Sequence, residues 1–293
     1  WYQQTRTEGL HGDDSAFGLG VSMPNSVAWR GSFSTRQVQS NFDPAVGFVD
    51  RRGIQDYALD TGYTWRYADR WLRSMYTGFD GYQVRRLDSG DVESEALALR
   101  FTMQNNTQDN LFSRIIRNRE VLLQPFTIYR STDGSQTVVI PPGDYRFQDY
   151  RLGIDSGDQR SFGLRVSASW GEFYDGNRVQ PQVDVEWRPS PHFRLAAGYQ
   201  VNDIELPGGD FVVRLASMQA QVVFSSRLAW MNLIQYDTVT ENIGINSRLH
   251  WIPQAGREGF IVLNHNLTDL DKNDSFQSAN ADVSVKFSYT WRF

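Results

Sequence analysis

The feature that most constrains this chain is a two-residue rhythm that returns almost from end to end. In the stretch 281–293, Val283, Val285, Phe287, Tyr289, Trp291 and Phe293 alternate with Asp282, Ser284, Lys286, Ser288, Thr290 and Arg292. Successive side chains of an extended strand point to opposite faces, so this spacing predicts one apolar and one polar face. The same spacing sets Leu97, Leu99, Phe101 and Met103 against Ala98, Arg100 and Thr102. It sets Val183, Val185 and Trp187 against Gln182, Asp184, Glu186 and Arg188, and Phe193, Leu195 and Tyr199 against Arg194 and Gln200. An amphipathic helix would place its apolar residues three and four apart, so the chain is expected to be all-β.

Turn-forming clusters cut the rhythm into segments: YADR at 67–70, QNNTQDN at 104–110, RPSPH at 188–192, ELPGGD at 205–210, SSR at 225–227 and IPQAGREG at 252–259. Counting between them gives roughly sixteen strands, with fourteen or eighteen also compatible. The first strand is expected over 1–8, and 111–130 reads as one long bulged strand whose division would change the count. Longer loops are expected over 40–53, 131–144 and 270–280, the second carrying a small apolar tip. Between 211 and 236 both faces carry apolar residues, as a contact with a plug, a contact with another protein or a shifted register would produce.

A soluble sandwich could show the same alternation, its apolar side forming a protein core. Repetition through the whole chain, strand length, aromatic strand ends and the lack of a helical stretch favour a transmembrane, antiparallel up-and-down β-barrel, with apolar residues on lipid and polar ones on the lumen. A mean hydropathy of -0.50 does not conflict with this, because half of every strand is polar. Residues 1–293 are read as one barrel domain of the bacterial outer membrane. No segment of the chain reads as a signal peptide, so it is expected to be mature, truncated or preceded by another domain.

Val183, Val185, Trp187, Val283, Val285 and Phe287 are the expected lipid-facing residues. Tyr63, Trp65, Trp170, Trp187, Tyr289 and Trp291 are expected in interfacial aromatic girdles, where amphipathic rings are favoured. Arg100, Asp184, Glu186, Arg188, Lys286 and Arg292 are expected on the lumen wall. Apart from Lys272 and Lys286 the 29 basic residues are arginines. Their forked guanidinium suits carboxylates on facing strands, although a compositional bias explains the count equally well.

The formal charge of -5 argues against nucleic acid as a partner. With no cysteine there are no disulfides or thiolate sites. His11, His192, His250 and His265 lack metal-ligand spacing, although the last two could approach across a hairpin. Asp271 and Asp274, with Lys272 and Asn273, lack the spacing of a calcium loop. Asp184 and Glu186 share a face as a glycosidase pair would, but so do arginines along these strands, and a lumen ladder is the better account. No catalytic residue, metal or cofactor is assigned.

Three stretches have a family character: NFDPAVGFVDRRGIQDYAL at 41–59, NSRLHWIPQAGREGFIVLNH at 246–265 and the closing VSVKFSYTWRF. They resemble the C-terminal region of the bacterial DUF5916 family, in which a carbohydrate-binding-like β-sandwich precedes an outer-membrane barrel. The resemblance covers most of the chain, with Arg51 and Arg52 at the family's basic pair and Asn246, Arg248 and Trp251 on its penultimate hairpin. It implies that an upstream periplasmic domain is missing here. Tyr289, Trp291 and Phe293 resemble the terminal signal by which the barrel-assembly machinery recognises its clients. The expected partners are outer-membrane lipid, that machinery, and a periplasmic or outer-membrane protein. The expected function is an anchor or conduit working with that protein or domain. The alternative is the membrane anchor of a carbohydrate-binding or carbohydrate-processing enzyme whose active region lies upstream.

Overall fold

The computed structural model describes residues 1–9, 11–24, 26, 28–68, 71–269 and 275–291. Among them there are strands and no helix. The first strands are β1 (Tyr2–Gln4), β2 (Ser15–Ser22), β3 (Trp29–Val38), β4 (Ile54–Arg66), β5 (Leu72–Arg86), β6 (Val92–Asn105), β7 (Asn110–Leu122), β8 (Phe126–Arg130) and β9 (Thr137–Ile140). They are followed by β10 (Gly143–Asp155), β11 (Phe162–Phe173), β12 (Gly176–Ser190), β13 (Phe193–Leu206), β14 (Gly209–Ser225), β15 (Leu228–Asp237), β16 (Asn242–Gln254), β17 (Arg257–Thr268) and β18 (Gln277–Tyr289). Sixteen of these hydrogen-bond into one sheet, each beside its neighbour in sequence, while β8 and β9 pair only with each other.

The all-β expectation holds, and so does the count for the main sheet. Several local expectations do not. The loop expected over 270–280 gives way to strand at Gln277, where β18 begins. The first strand is only Tyr2–Gln4. The segment 111–130 is two strands: β7 leaves the ladder at Leu122, and Pro125, which has no N–H to donate, separates it from β8. The apolar tip expected in a loop is β9, and Val138 within it is fully buried.

Contacts divide the chain into two compact units, one of Trp1–Phe126, Val139–Leu152 and Trp170–Asn177, the other of Thr127–Val138, Gly153–Ser169 and Arg178–Phe293. In the first, continuous register from β3 to β7 puts Arg30, Asp60, Asp80, Arg100 and Arg114 on one face. The other face carries Phe33, Leu59, Phe79, Leu97, Leu99 and Ile115, all exposed. The connections 87–91 and 39–53 lie at one end of these strands, and 106–109 at the other. The long connection 39–53 folds back over the polar face, where Phe42 and Val49 pack on Ala16, Val38, Ile54 and Val84. These apolar residues on polar-face positions need a cover, and the loop supplies it. Arg51 ties it down, donating to Ser94 Oγ at 2.9 Å and lying 3.4 Å from Glu93.

In the second unit, fourteen consecutive pairs join β13 and β14, from Phe193↔Val222 to Leu206↔Gly209. Ile204, Leu206 and Phe211 fall on the polar face at the far end of this pair and are buried. The hairpin segment 127–138 covers them. Tyr129 stacks on Phe211 with ring centroids 4.4 Å apart, Gln136 Nε2 donates to Asp210 O at 2.8 Å, and Thr132 Oγ1 donates to Val239 O. Gly209 has φ +135°, and a β-carbon there would lie 3.3 Å from Val138, so the glycine admits both the turn and the hairpin.

Candidate functional site

The polar face of the first unit carries a lattice of ion pairs. Arg30 Nε lies 3.4 Å from Asp60, and Arg100 bonds the other oxygen of that carboxylate. Arg100 Nε is also 2.8 Å from Asp80 Oδ1, whose second oxygen takes Arg114. The result is a zigzag of alternating charge crossing β3 to β7. Arg36 and Asp56 form a further pair at 2.6 Å. Ion pairs this exposed contribute little singly, but shared partners hold several long side chains in one geometry.

Tyr76 is the pin of this lattice. Its hydroxyl accepts from Arg30 Nε at 3.0 Å, and the Arg30 guanidinium sits 4.2 Å above its ring. The ring lies across Gly62 and Gly78, in space that a β-carbon at either residue would fill. Sequence reading assigned no role to Tyr76. The available signal was an aromatic residue at polar-face parity two residues before Gly78, which is itself paired with Gly62.

On the polar face of the second unit Glu186 receives two parallel hydrogen bonds from Arg194, both 2.9 Å, and lies 3.0 Å from Arg188. Arg194 also donates to Gln219 at 3.1 Å. Asp184 accepts from Gln182 at 2.9 Å. Glu186 is thus clamped by guanidiniums. Further along, Asn246 bonds Asn264, Asn264 donates to Asp282 at 3.2 Å, and Asn266 donates to Asn280 at 2.7 Å. A cavity of about 510 Å³ lies on this face, lined by Asp184, Gln200, Ser217, Gln235, Asn242 and Asn266 among others, with Gly198 and Gly244 contributing no side chain.

Arg100, Asp184, Glu186, Arg188 and Lys286 are on polar faces; Lys286 stands opposite Phe260 on β17. Arg292 and Phe293 lie outside the described residues, as do Asp271, Lys272, Asn273 and Asp274. Val183, Trp187, Val283, Val285 and Phe287 are exposed on the apolar face, Val285 most of all at 75%, and Val185 there is half-buried. Tyr63 and Trp65 join Trp29 in an edge-to-face cluster with centroids 4.9 and 4.8 Å apart. Tyr289 and Trp291 pack at 4.7 Å, and Trp187 meets Phe193 at 5.8 Å. Trp170 stacks on Tyr150, nearer the opposite strand end.

His250 and His265 do not converge. His250 pairs with Phe260 and lies 3.3 Å from Glu258, whereas His265 is paired with Ile245 on the apolar face and lies 2.9 Å from Ser278 Oγ. Among the described residues no group of three histidines or carboxylates could hold a metal ion. In the turn before β12, burial first and the nearby Glu120 second push the Tyr174 phenol above its usual range. No family model matches the chain, and no curated protein matches it.

Proposed function

We propose that this chain is a transmembrane β-barrel of the bacterial outer membrane, acting as an anchor or a restricted conduit for a periplasmic domain or protein partner. The observation that carries this reading is the division of faces. Apolar residues such as Leu97, at 53% exposure, stand at alternate positions outside, while the opposite face holds fixed ion pairs and amides. Water would penalise such an exposed apolar face, and lipid would not. Strands of 13 to 15 residues from β4 to β7 exceed the roughly 9–11 residues that cross a bilayer. In this reading the sheet closes, because lipid leaves no partner for an edge N–H.

The segments 39–53 and 127–138 each fold over a polar face, which favours a narrowed passage or a filled anchor over a wide pore. The DUF5916 resemblance, to a family in which a β-sandwich precedes the barrel, fits the anchor role. Refolding the chain into vesicles and recording across planar bilayers tests the reading. Insertion with little or gated conductance, rising when 131–136 is deleted, supports it. A chain that stays monodisperse in buffer without detergent and does not insert refutes it.

A further inference from the structure

We infer that the apolar-banded face of the first unit carries a seat for the anionic phosphate headgroup of a membrane lipid, built around Gly81; this rests on the membrane reading above. Register from β4 to β7 lines up two rows on that face. One is Tyr57, Gln83, Glu95, Arg119; the next is Leu59, Gly81, Leu97, Arg117. Gly81 leaves a depression between two leucines, and a β-carbon there would come 2.8 Å from Ala96 O and 3.3 Å from Leu97 Cδ1. The depression opens into a cavity of about 720 Å³, with Phe33, Leu59 and Leu97 on one side and Arg117, Arg119 and Arg146 on the other.

Of the carboxylates around this cavity, Asp144 is neutralised by an arginine, whereas Glu95 and Glu172 are held by neutral donors. Asp144 takes two hydrogen bonds from Arg119, at 2.9 and 2.8 Å, and Glu95 accepts from Gln83 at 2.7 Å. Glu172 accepts the backbone N–H of Gln148 at 2.9 Å. Arg117 instead donates its Nε to a neutral acceptor, Gln148 Oε1, at 3.1 Å, and exposed Arg146 is 3.8 Å from Asp144. Both keep terminal N–H groups for an incoming anion, and the guanidinium fork matches a phosphate. A free phosphate would make no use of Phe33, Leu59 and Leu97. An acyl chain would, because the apolar positions continue from Leu97 through Leu99 towards Phe101 while the arginines stay at the strand end nearer 87–91.

The test compares the full chain with R117Q/R146Q in vesicles of mixed phosphatidylglycerol and phosphatidylcholine, counting lipids retained after detergent release by native mass spectrometry. The inference expects about ten-fold enrichment of phosphatidylglycerol on the parent chain, lost in the variant, and undisturbed by millimolar inorganic phosphate. Equal retention of both lipids by a parent chain that has inserted overturns the seat and leaves the membrane reading standing. Displacement by inorganic phosphate overturns the lipid as its occupant. Failure of the parent chain to insert removes the membrane reading and the seat with it. If the glutamine variant does not fold, R117K/R146K keeps the charges and removes the forks, and unchanged enrichment there overturns the inference.

Discussion

The ring of Tyr76 on β5 lies across Gly62 on β4, in the space a side chain at residue 62 would occupy. This close fit holds the phenol under Arg30 and beside Arg100, so the geometry of the ionic lattice depends on a residue with no side chain. Gly62→Val is expected to expel the ring and cost about 1–3 kcal/mol through overpacking. Gly20→Ala, whose nearest neighbour would be 3.9 Å away, is expected to be close to neutral. Urea unfolding of the refolded protein, followed by tryptophan fluorescence, compares the two; equal midpoints would contradict the role assigned to Gly62.

Arg194 and Glu186 form an ion pair with two parallel hydrogen bonds in the second unit. Arg194→Ala is expected to cost about 1–2 kcal/mol, since charged hydrogen bonds are worth more than neutral ones, and adding Glu186→Gln is expected to cost little more, because Arg188 is then the carboxylate's remaining charged partner. A double-mutant cycle should return a coupling of about 0.5–3 kcal/mol. Additive losses would show that the pair is idle.

These relationships were not equally legible in the sequence. The faces of β12 and β18 follow from period two alone, because alternation of Val183, Val185 and Trp187 with Asp184 and Glu186 is a local property of an extended chain. The stacking of Tyr129 on Phe211 is not local. Pro125 announces a break in the ladder, but nothing in its neighbourhood says that the next strand leaves the sheet to cover β13 and β14. The weakened alternation after 211 reflects that cover at one position: Phe211 occupies a polar-face position and is buried there, whereas Leu215 and Met231, also at polar-face positions, are exposed. Arg100 was readable as a polar-wall residue, whereas its link to Asp60 and Asp80 needed the register.

Phe211→Ala removes the surface on which Tyr129 stacks. It is expected to cost about 3 kcal/mol, as truncation of a buried phenylalanine does, and to release the hairpin. Limited proteolysis reads this directly: cleavage within 131–136 should accelerate while the main sheet persists. Unchanged cleavage would mean that the hairpin is held by Gln136 and Thr132 without the ring.

Val285→Arg places a charge on the exposed apolar face of β18 and is expected to destabilise the inserted state by about 2–4 kcal/mol if the residue sits near the bilayer midplane. Ser284→Arg, on the opposite face, is expected to change stability far less. Equal effects in vesicles would argue against the assignment of faces.

On the membrane reading, one face of this sheet meets lipid and the other meets water. Because the chain has no native cysteine, single cysteines can be placed at each position from 282 to 287 and labelled with an environment-sensitive fluorophore after refolding into vesicles. Quenching by a bilayer-embedded nitroxide should then be strong at 283, 285 and 287 and weak at 282, 284 and 286, with the reverse pattern for a water-soluble quencher. A uniform response at all six positions, equally open to the aqueous quencher, would contradict the account.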